Sequence, residues 1–166
     1  PPGPARHDLP ADWRFVLAVP DVAAGRSGEE EDESMRSVVE RADPGIAEEV
    51  ARLVTQGLLP AAATGDRETF GTAVARLGRL NGAWYADEQG GVYRPPAGEV
   101  IDRLADHPAV AGAGQSSWGP TVYALTDDEY APDVAAAAEA ALDAVDCGGR
   151  VVVARARNEG ATVTDS

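Results

Sequence analysis

The run GAGQSSWGPTVYAL, residues 112–125, holds the side chains best placed to do chemistry. Gly114 and Gly119, followed by Pro120 and Thr121, match the spacing of a nucleotide P-loop, G-x-x-x-x-G-K-[ST]. A P-loop needs a lysine to reach the terminal phosphates, and a helix N-terminus behind it to aim amides at them. Here Pro120 replaces the lysine and removes one amide, and Thr121–Leu125 reads on as a β-branched, aromatic strand. The stretch is therefore not a nucleotide P-loop. Two readings stay open. It is a hairpin turn whose glycines only permit positive φ, or it is a ligand loop. Gln115, Ser116 and Ser117, with Trp118 at the tip, offer an amide, two hydroxyls and neighbouring N–H groups in one short concavity. An anionic or polar ligand needs such donors where no lysine is available.

Other reactive residues read more plainly. The acids at 29–33 suit the positive end of a helix and read as solvated rather than metal-binding. His7 and His107 stand apart, without ligand spacing. Cys147 is the only cysteine, so no intrachain disulfide forms, and its apolar surroundings suggest a buried, inert thiol. Trp84 and Tyr85 extend an apolar helical face and read as core, whereas Trp118 either lines a pocket or packs on another domain. Arg155 and Arg157 alternate with alanine and read as facing solvent, with an edge beside an anion site as the alternative.

These residues need elements to hold them. Residues 1–13 are Pro-rich and extended, and residues 14–20, RFVLAVP, form a strand closed by proline. Ser27-Gly28-Glu29-Glu30 has the form of a capping box, starting a helix over 29–41. Asp43-Pro44 starts another, with Ile46, Val50, Leu53, Val54 and Leu58 at helical spacing until the pattern fades at Pro60. Asp66 caps a third, in which Phe70, Val74, Leu77 and Asn81 share a face. A short helix covers 99–106, strands cover 110–114 and 121–125, an alanine-rich helix covers 132–145, and the last strand covers 150–156. The tail over 158–166 is flexible. This order implies an α+β fold with a mostly antiparallel four-stranded sheet and helices on one face.

Glycine-rich loop, Gly119-Pro120-Thr121 and apolar strand together resemble the third motif of the GHMP superfamily of small-molecule kinases. The string Gln115-Ser116-Ser117-Trp118-Gly119-Pro120-Thr121 is closest to a branch, the β-ribofuranosylaminobenzene 5′-phosphate synthases of archaea. A second segment agrees: Trp13-Arg14-Phe15-Val16, then Gly25-Arg26-Ser27-Gly28-Glu29-Glu30. The branch often has leucine where Arg26 stands, leaving Arg26 either a substrate contact or a surface change. The resemblance implies a C-terminal domain of ferredoxin-like build over 14–157. Residues 1–13 would then be the linker from an N-terminal GHMP domain carrying the nucleotide loop, Pro-x-x-x-Gly-Leu-Gly-Ser-Ser, which these 166 residues do not contain. It further implies a transferase joining phosphoribosyl pyrophosphate to an aromatic acid and releasing pyrophosphate, on the route to a methanopterin-type cofactor. The alternative within the superfamily is an ATP-dependent kinase of a small alcohol. A third alternative, outside catalysis, is a small-molecule-binding domain. Substrate or phosphate contacts are expected at Gly112, Gly114, Gln115, Ser116, Ser117, Gly119 and Thr121, with Ser27 and Gly28 beside them, and the catalytic group is not legible. Mg²⁺ is expected in the intact enzyme, with none bound by this domain alone; the fragment alone is expected to be inactive, and homodimer formation is left open.

Composition sets outer bounds. The net charge is −14, and all 14 basic residues are arginine. Phosphate backbones demand a basic patch, so a nucleic acid partner is disfavoured. The acidity suits a salt-rich, haloarchaeal cytoplasm, where charges are screened within about 3 Å at 1 M. No apolar run approaches the roughly 20 residues needed to span a bilayer, and a cytoplasmic location is expected.

Overall fold

A computed structural model of the chain describes residues 7–23, 32, 35, 36, 38 and 44–163. Asp32, Met35, Arg36 and Val38 are helical, in line with the expected helix over 29–41. The expected capping box, with Ser27 and Gly28, lies outside the described residues, as do Arg26 and Asp43.

The chain runs β1 (Trp13–Pro20), α1 (Pro44–Arg52), a π-helical stretch (Leu53–Leu58), α2 (Leu59–Thr64), α3 (Arg67–Trp84), α4 (Ala86–Gln89), α5 (Ala97–Ala105), β2 (Gly112–Gln115), β3 (Val122–Asp127), α6 (Ala131–Ala144) and β4 (Gly149–Ala154). The four strands form one sheet in the order β2-β3-β1-β4, and every neighbouring pair is antiparallel. This is the expected α+β architecture, with the β-α-β-β-α-β order of a ferredoxin-like domain, but helices pack on both faces of the sheet rather than on one.

Strand alternation sorts the core. Val16 lies opposite Ala124, Ala18 opposite Val122 and Ala113 opposite Ala124, so these side chains share one face. That face packs on Val100, Ile101 and Leu104 of α5 and on Val134, Ala138, Ala141 and Leu142 of α6. A smaller cluster forms on the opposite face, where Trp13 and Leu125 meet Phe70 of α3 and Ala61 and Ala62 of α2. The Trp13 and Phe70 rings are 5.0 Å apart and tilted by 56°. Ion pairs of Arg67 with Asp127 and of Arg14 with Asp128 join the second layer and the chain start to the end of β3.

Two details depart from the sequence pattern. The helix does not stop at Pro60. Its turn widens first, with the Leu59 N–H donating to the Val54 carbonyl, and the wider turn accepts a ring that a regular helix interior would exclude. Cys147 lies beyond the end of α6, half-buried, and its thiol meets the Gly148 carbonyl at 3.3 Å, so it is not enclosed in an apolar helix face. At the chain's other end, the Asn158 side chain brackets the Leu9 backbone with bonds of 3.1 and 2.8 Å, tying the two termini of the domain together.

Candidate functional site

The loop of interest leaves β2 after Gln115 and enters β3 at Val122. Ser116 N–H donates to the Thr121 carbonyl at 2.8 Å, and Gly119 N–H donates to the Ser116 carbonyl at 2.9 Å. The turn is thus four residues tight. Positive φ falls on Ser117 (50°) and Gly119 (61°), and the Gly119–Pro120 peptide is cis.

The expectation of positive φ at the earlier glycines is corrected. Gly112 and Gly114 sit in β2, and both are required by close approach instead. A Cβ on Gly112 would lie 2.1 Å from the Gly71 carbonyl oxygen, because α3 presses against this edge of the sheet. A Cβ on Gly114 would lie 2.5 Å from the hydroxyl of Tyr123, the residue directly across the strand pair. That hydroxyl is buried and has no hydrogen-bond partner among the described residues. Burial, with Tyr93 nearby as a lesser cause, pushes its pKa up to about 12, so it stays a neutral donor.

Gln115 is held by its surroundings. Its Oε1 accepts from Arg94 N–H at 2.7 Å, while its Nε2 donates to Gln89 Oε1 at 3.0 Å and to the Ser117 carbonyl at 2.9 Å. Gln89 is itself buried, and its Nε2 donates to the carbonyls of Val92 at 2.8 Å and Gly82 at 3.3 Å. The amide chain therefore clamps the loop to α4 and to the segment after it. Ser116 and Ser117 remain exposed, with no hydroxyl hydrogen bond to any described residue. Two backbone amides of the loop, those of Ser116 and Gly119, are spent on its own turn.

Behind the loop lies a cleft of about 220 Å³. Gly78, Asn81 and Gly82 of α3 form its floor, Tyr85, Gln89, Val92 and Tyr93 one side, and Gln115, Ser117 and Trp118 the other, with Met35 also lining it. The rings of Tyr85 and Trp118 meet edge to face, 4.9 Å apart at 73°. None of these lining residues carries a formal charge. Trp118 and Tyr85 both line this cleft.

Sequence reasoning missed the contribution of α3 and α4. A signal was present: α3 carries glycines 71, 78 and 82 at helical spacing, and two of them, Gly71 and Gly82, sit at close approaches of backbone. Gly112, Gly114, Gln115, Ser116, Ser117, Gly119 and Thr121 are brought together, although Gln115 and the two strand glycines are occupied structurally. His107 is also occupied, its Nδ1 accepting from the Ala109 N–H at 3.2 Å. No cluster of acidic, histidine or cysteine side chains able to hold a metal occurs among the described residues.

With this geometry in view, comparisons with known proteins are informative. The family model described as GHMP kinases C terminal matches residues 58–144. The β-ribofuranosylphenol 5′-phosphate synthase of Methanothermobacter thermautotrophicus is 30% identical over 97% of this chain and 46% of its own length. The protein of the same name from Archaeoglobus fulgidus is 32% identical over 96% of this chain and 47% of its own length. The chain therefore spans about half the length of the curated relatives it matches. Among solved structures, homoserine kinase from Cytophaga hutchinsonii matches with a TM-score of 0.66 at 18% identity, over 91% of this chain and 44% of that one. Mevalonate pyrophosphate decarboxylase from Streptococcus pyogenes matches with a TM-score of 0.68 at 11% identity, over 95% and 48%. At those identities the structures speak for the fold alone.

Proposed function

Since the chain belongs to the GHMP kinase C-terminal family, we propose that it is the substrate-binding C-terminal half of a phosphoribosyl transferase similar to the β-ribofuranosylphenol 5′-phosphate synthases. An N-terminal GHMP domain would complete the site. The observation that carries this reading is the pairing of two exposed serine hydroxyls with an aromatic cleft whose described lining carries no charge, at one loop. A transferase of this kind must hold a phosphorylated sugar and a flat ring side by side. The bond from the sugar's anomeric carbon to the carboxyl-bearing ring carbon of the acceptor forms as the anomeric carbon's bond to pyrophosphate breaks, and that ring carbon releases its carboxylate as CO2.

In this reading the loop binds and orients. Ser116 and Ser117 donate to phosphate oxygens, each such charge-assisted bond contributing about 1.5–3 kcal/mol. The Gln89–Gln115 clamp fixes the hydroxyls relative to the cleft. Holding two reactants in register is itself a large part of such catalysis, because it removes translational freedom beforehand. Mg²⁺, if required, would ride on the pyrophosphate.

The test is a substrate assay on the intact protein that carries this chain. Phosphoribosyl pyrophosphate with 4-hydroxybenzoate or 4-aminobenzoate should release pyrophosphate only when both are present. ADP formation from ATP and a small alcohol, without that pyrophosphate release, would replace the transferase with a kinase.

A further inference from the structure

The cleft differs in chemistry from an anion site. Among the described residues its lining carries no arginine, histidine or carboxylate, and lysine is absent from the whole chain. The amides of Gln89 and Gln115 are already committed to each other and to backbone groups. What the cleft offers a newcomer is ring surface from Tyr85, Tyr93 and Trp118, with the exposed Asn81 side chain and Ser117 at its rim. Pockets for drug-sized ligands measure roughly 300–1,000 Å³. At about 220 Å³ this one has room for a single substituted six-membered ring, not for a whole nucleotide.

We propose that the cleft between α3 and the 116–121 loop is the seat of the acceptor's aromatic ring, with Tyr85 and Trp118 as the edge-to-face wall that selects a neutral phenol-type ring. This rests on the transferase reading above and places the acceptor within it. The ring enters flat against Tyr93 and α3. Any charged substituent points outwards past Ser117, since no described lining residue would neutralise it inside. The phosphoribosyl group then lies on the serine side of the loop and the acceptor on the Trp118 side.

Gly78 supplies a clean probe. A Cβ there meets only the Tyr123 hydroxyl, at 3.7 Å, an ordinary contact, while the position itself lines the cleft. Gly78→Leu therefore adds bulk at the cleft from a position where the Cβ itself has room. Binding of 4-hydroxybenzoate and of phenol to the intact protein would be measured by calorimetry, with phosphoribosyl pyrophosphate and adenosine as comparators. The expected result is a folded Gly78→Leu protein that binds both aromatic probes about tenfold or more weakly, with phosphoribosyl pyrophosphate binding unchanged. Trp118→Leu should weaken the same two probes, and Trp118→Phe, which keeps a ring, should restore most of the loss. Aromatic binding within twofold of wild type in folded Gly78→Leu would overturn the proposal. So would adenosine displacing phenol. Because phenol binding needs no turnover, the pocket and the transferase reading fail separately: phenol binding lost in Gly78→Leu upholds the pocket even where no phosphoribosyl transfer occurs.

Discussion

Replacing Gln115 with leucine keeps its bulk but removes its amide. Three hydrogen bonds vanish: from Arg94 N–H at 2.7 Å, to Gln89 Oε1 at 3.0 Å and to the Ser117 carbonyl at 2.9 Å. The Ser117 carbonyl is exposed and regains water at little loss. The Arg94 N–H and the Gln89 oxygen are partly buried, and an unmatched buried group costs about 1–3 kcal/mol. The expected destabilisation is therefore about 2–4 kcal/mol after some offset from the leucine methyls. For a domain of 150–250 residues each kcal/mol moves Tm by about 2–4 °C, so the melt should fall by roughly 5–15 °C. Gln115→Glu adds a signature in pH. One carboxylate oxygen can still accept from Arg94, but the other faces the Gln89 oxygen and the Ser117 carbonyl, both acceptors. Repulsion raises the folded-state pKa above the ordinary value of about 4.3. A raised folded pKa means stability that is present in acid and lost as pH rises through it, so the Glu variant should approach wild type only at acid pH. Thermal melts across pH on both variants decide the matter. A leucine variant melting within about 2 °C of wild type, or a Glu variant whose deficit ignores pH, would refute the clamp.

Three further outcomes follow from the same structure. Tyr123→Phe removes a buried hydroxyl that has no hydrogen-bond partner among the described residues, so the protein should melt at or above the wild-type temperature; wild type should additionally lose stability between the ordinary tyrosine pKa of 10 and about 12, where the variant should not. Within α3, Gly71→Ala should destabilise by about 3 kcal/mol or more, because its Cβ would lie 2.5 Å from the Ala111 carbonyl. Gly78→Ala, in open contact, should instead stabilise by up to about 1 kcal/mol, and equal melts for the two variants would contradict the close-approach face. Asp66 caps α3 by accepting from the Thr69 hydroxyl and N–H, and those two bonds hold its carboxyl below the ordinary value. Asp66→Ala should therefore lower Tm near neutrality, and the gap should close as pH falls through that lowered pKa.

Much of the fold could be read in the residues, and the reasons are local. Residues 14–20 and 150–154 announce strands by their β-branched content, and Asp66 announces a helix by its capping chemistry. The antiparallel sheet then follows from element order. The loop at 115–121 stood out because serines and an amide between glycines exceed what a turn requires. The cleft behind it was not legible, since it joins Met35, α3, the segment after α4 and the loop, positions up to 83 residues apart, numbers 35 to 118. The glycines misled for a related reason. A glycine chosen for φ and one chosen for contact look alike in sequence, and only the approach of Gly71 to Gly112, or of Tyr123 to Gly114, separates them. Likewise Gln115 read as a ligand donor because its partners, Gln89 and Arg94, lie 26 and 21 residues away.

The central claim is that the 116–121 loop presents its serines to a phosphorylated substrate. Ser116→Ala with Ser117→Ala, made together in the intact protein, tests it by paired melts and steady-state kinetics with phosphoribosyl pyrophosphate as the varied substrate. Both hydroxyls are exposed and make no bond to a described residue, so stability should stay within about 0.5 kcal/mol of wild type. Losing two donors at about 1.5–3 kcal/mol each should lower kcat/KM by at least about a hundredfold. Wild-type melting with wild-type kcat/KM, or activity that falls only in step with the folded fraction, would make the loop a turn and nothing more.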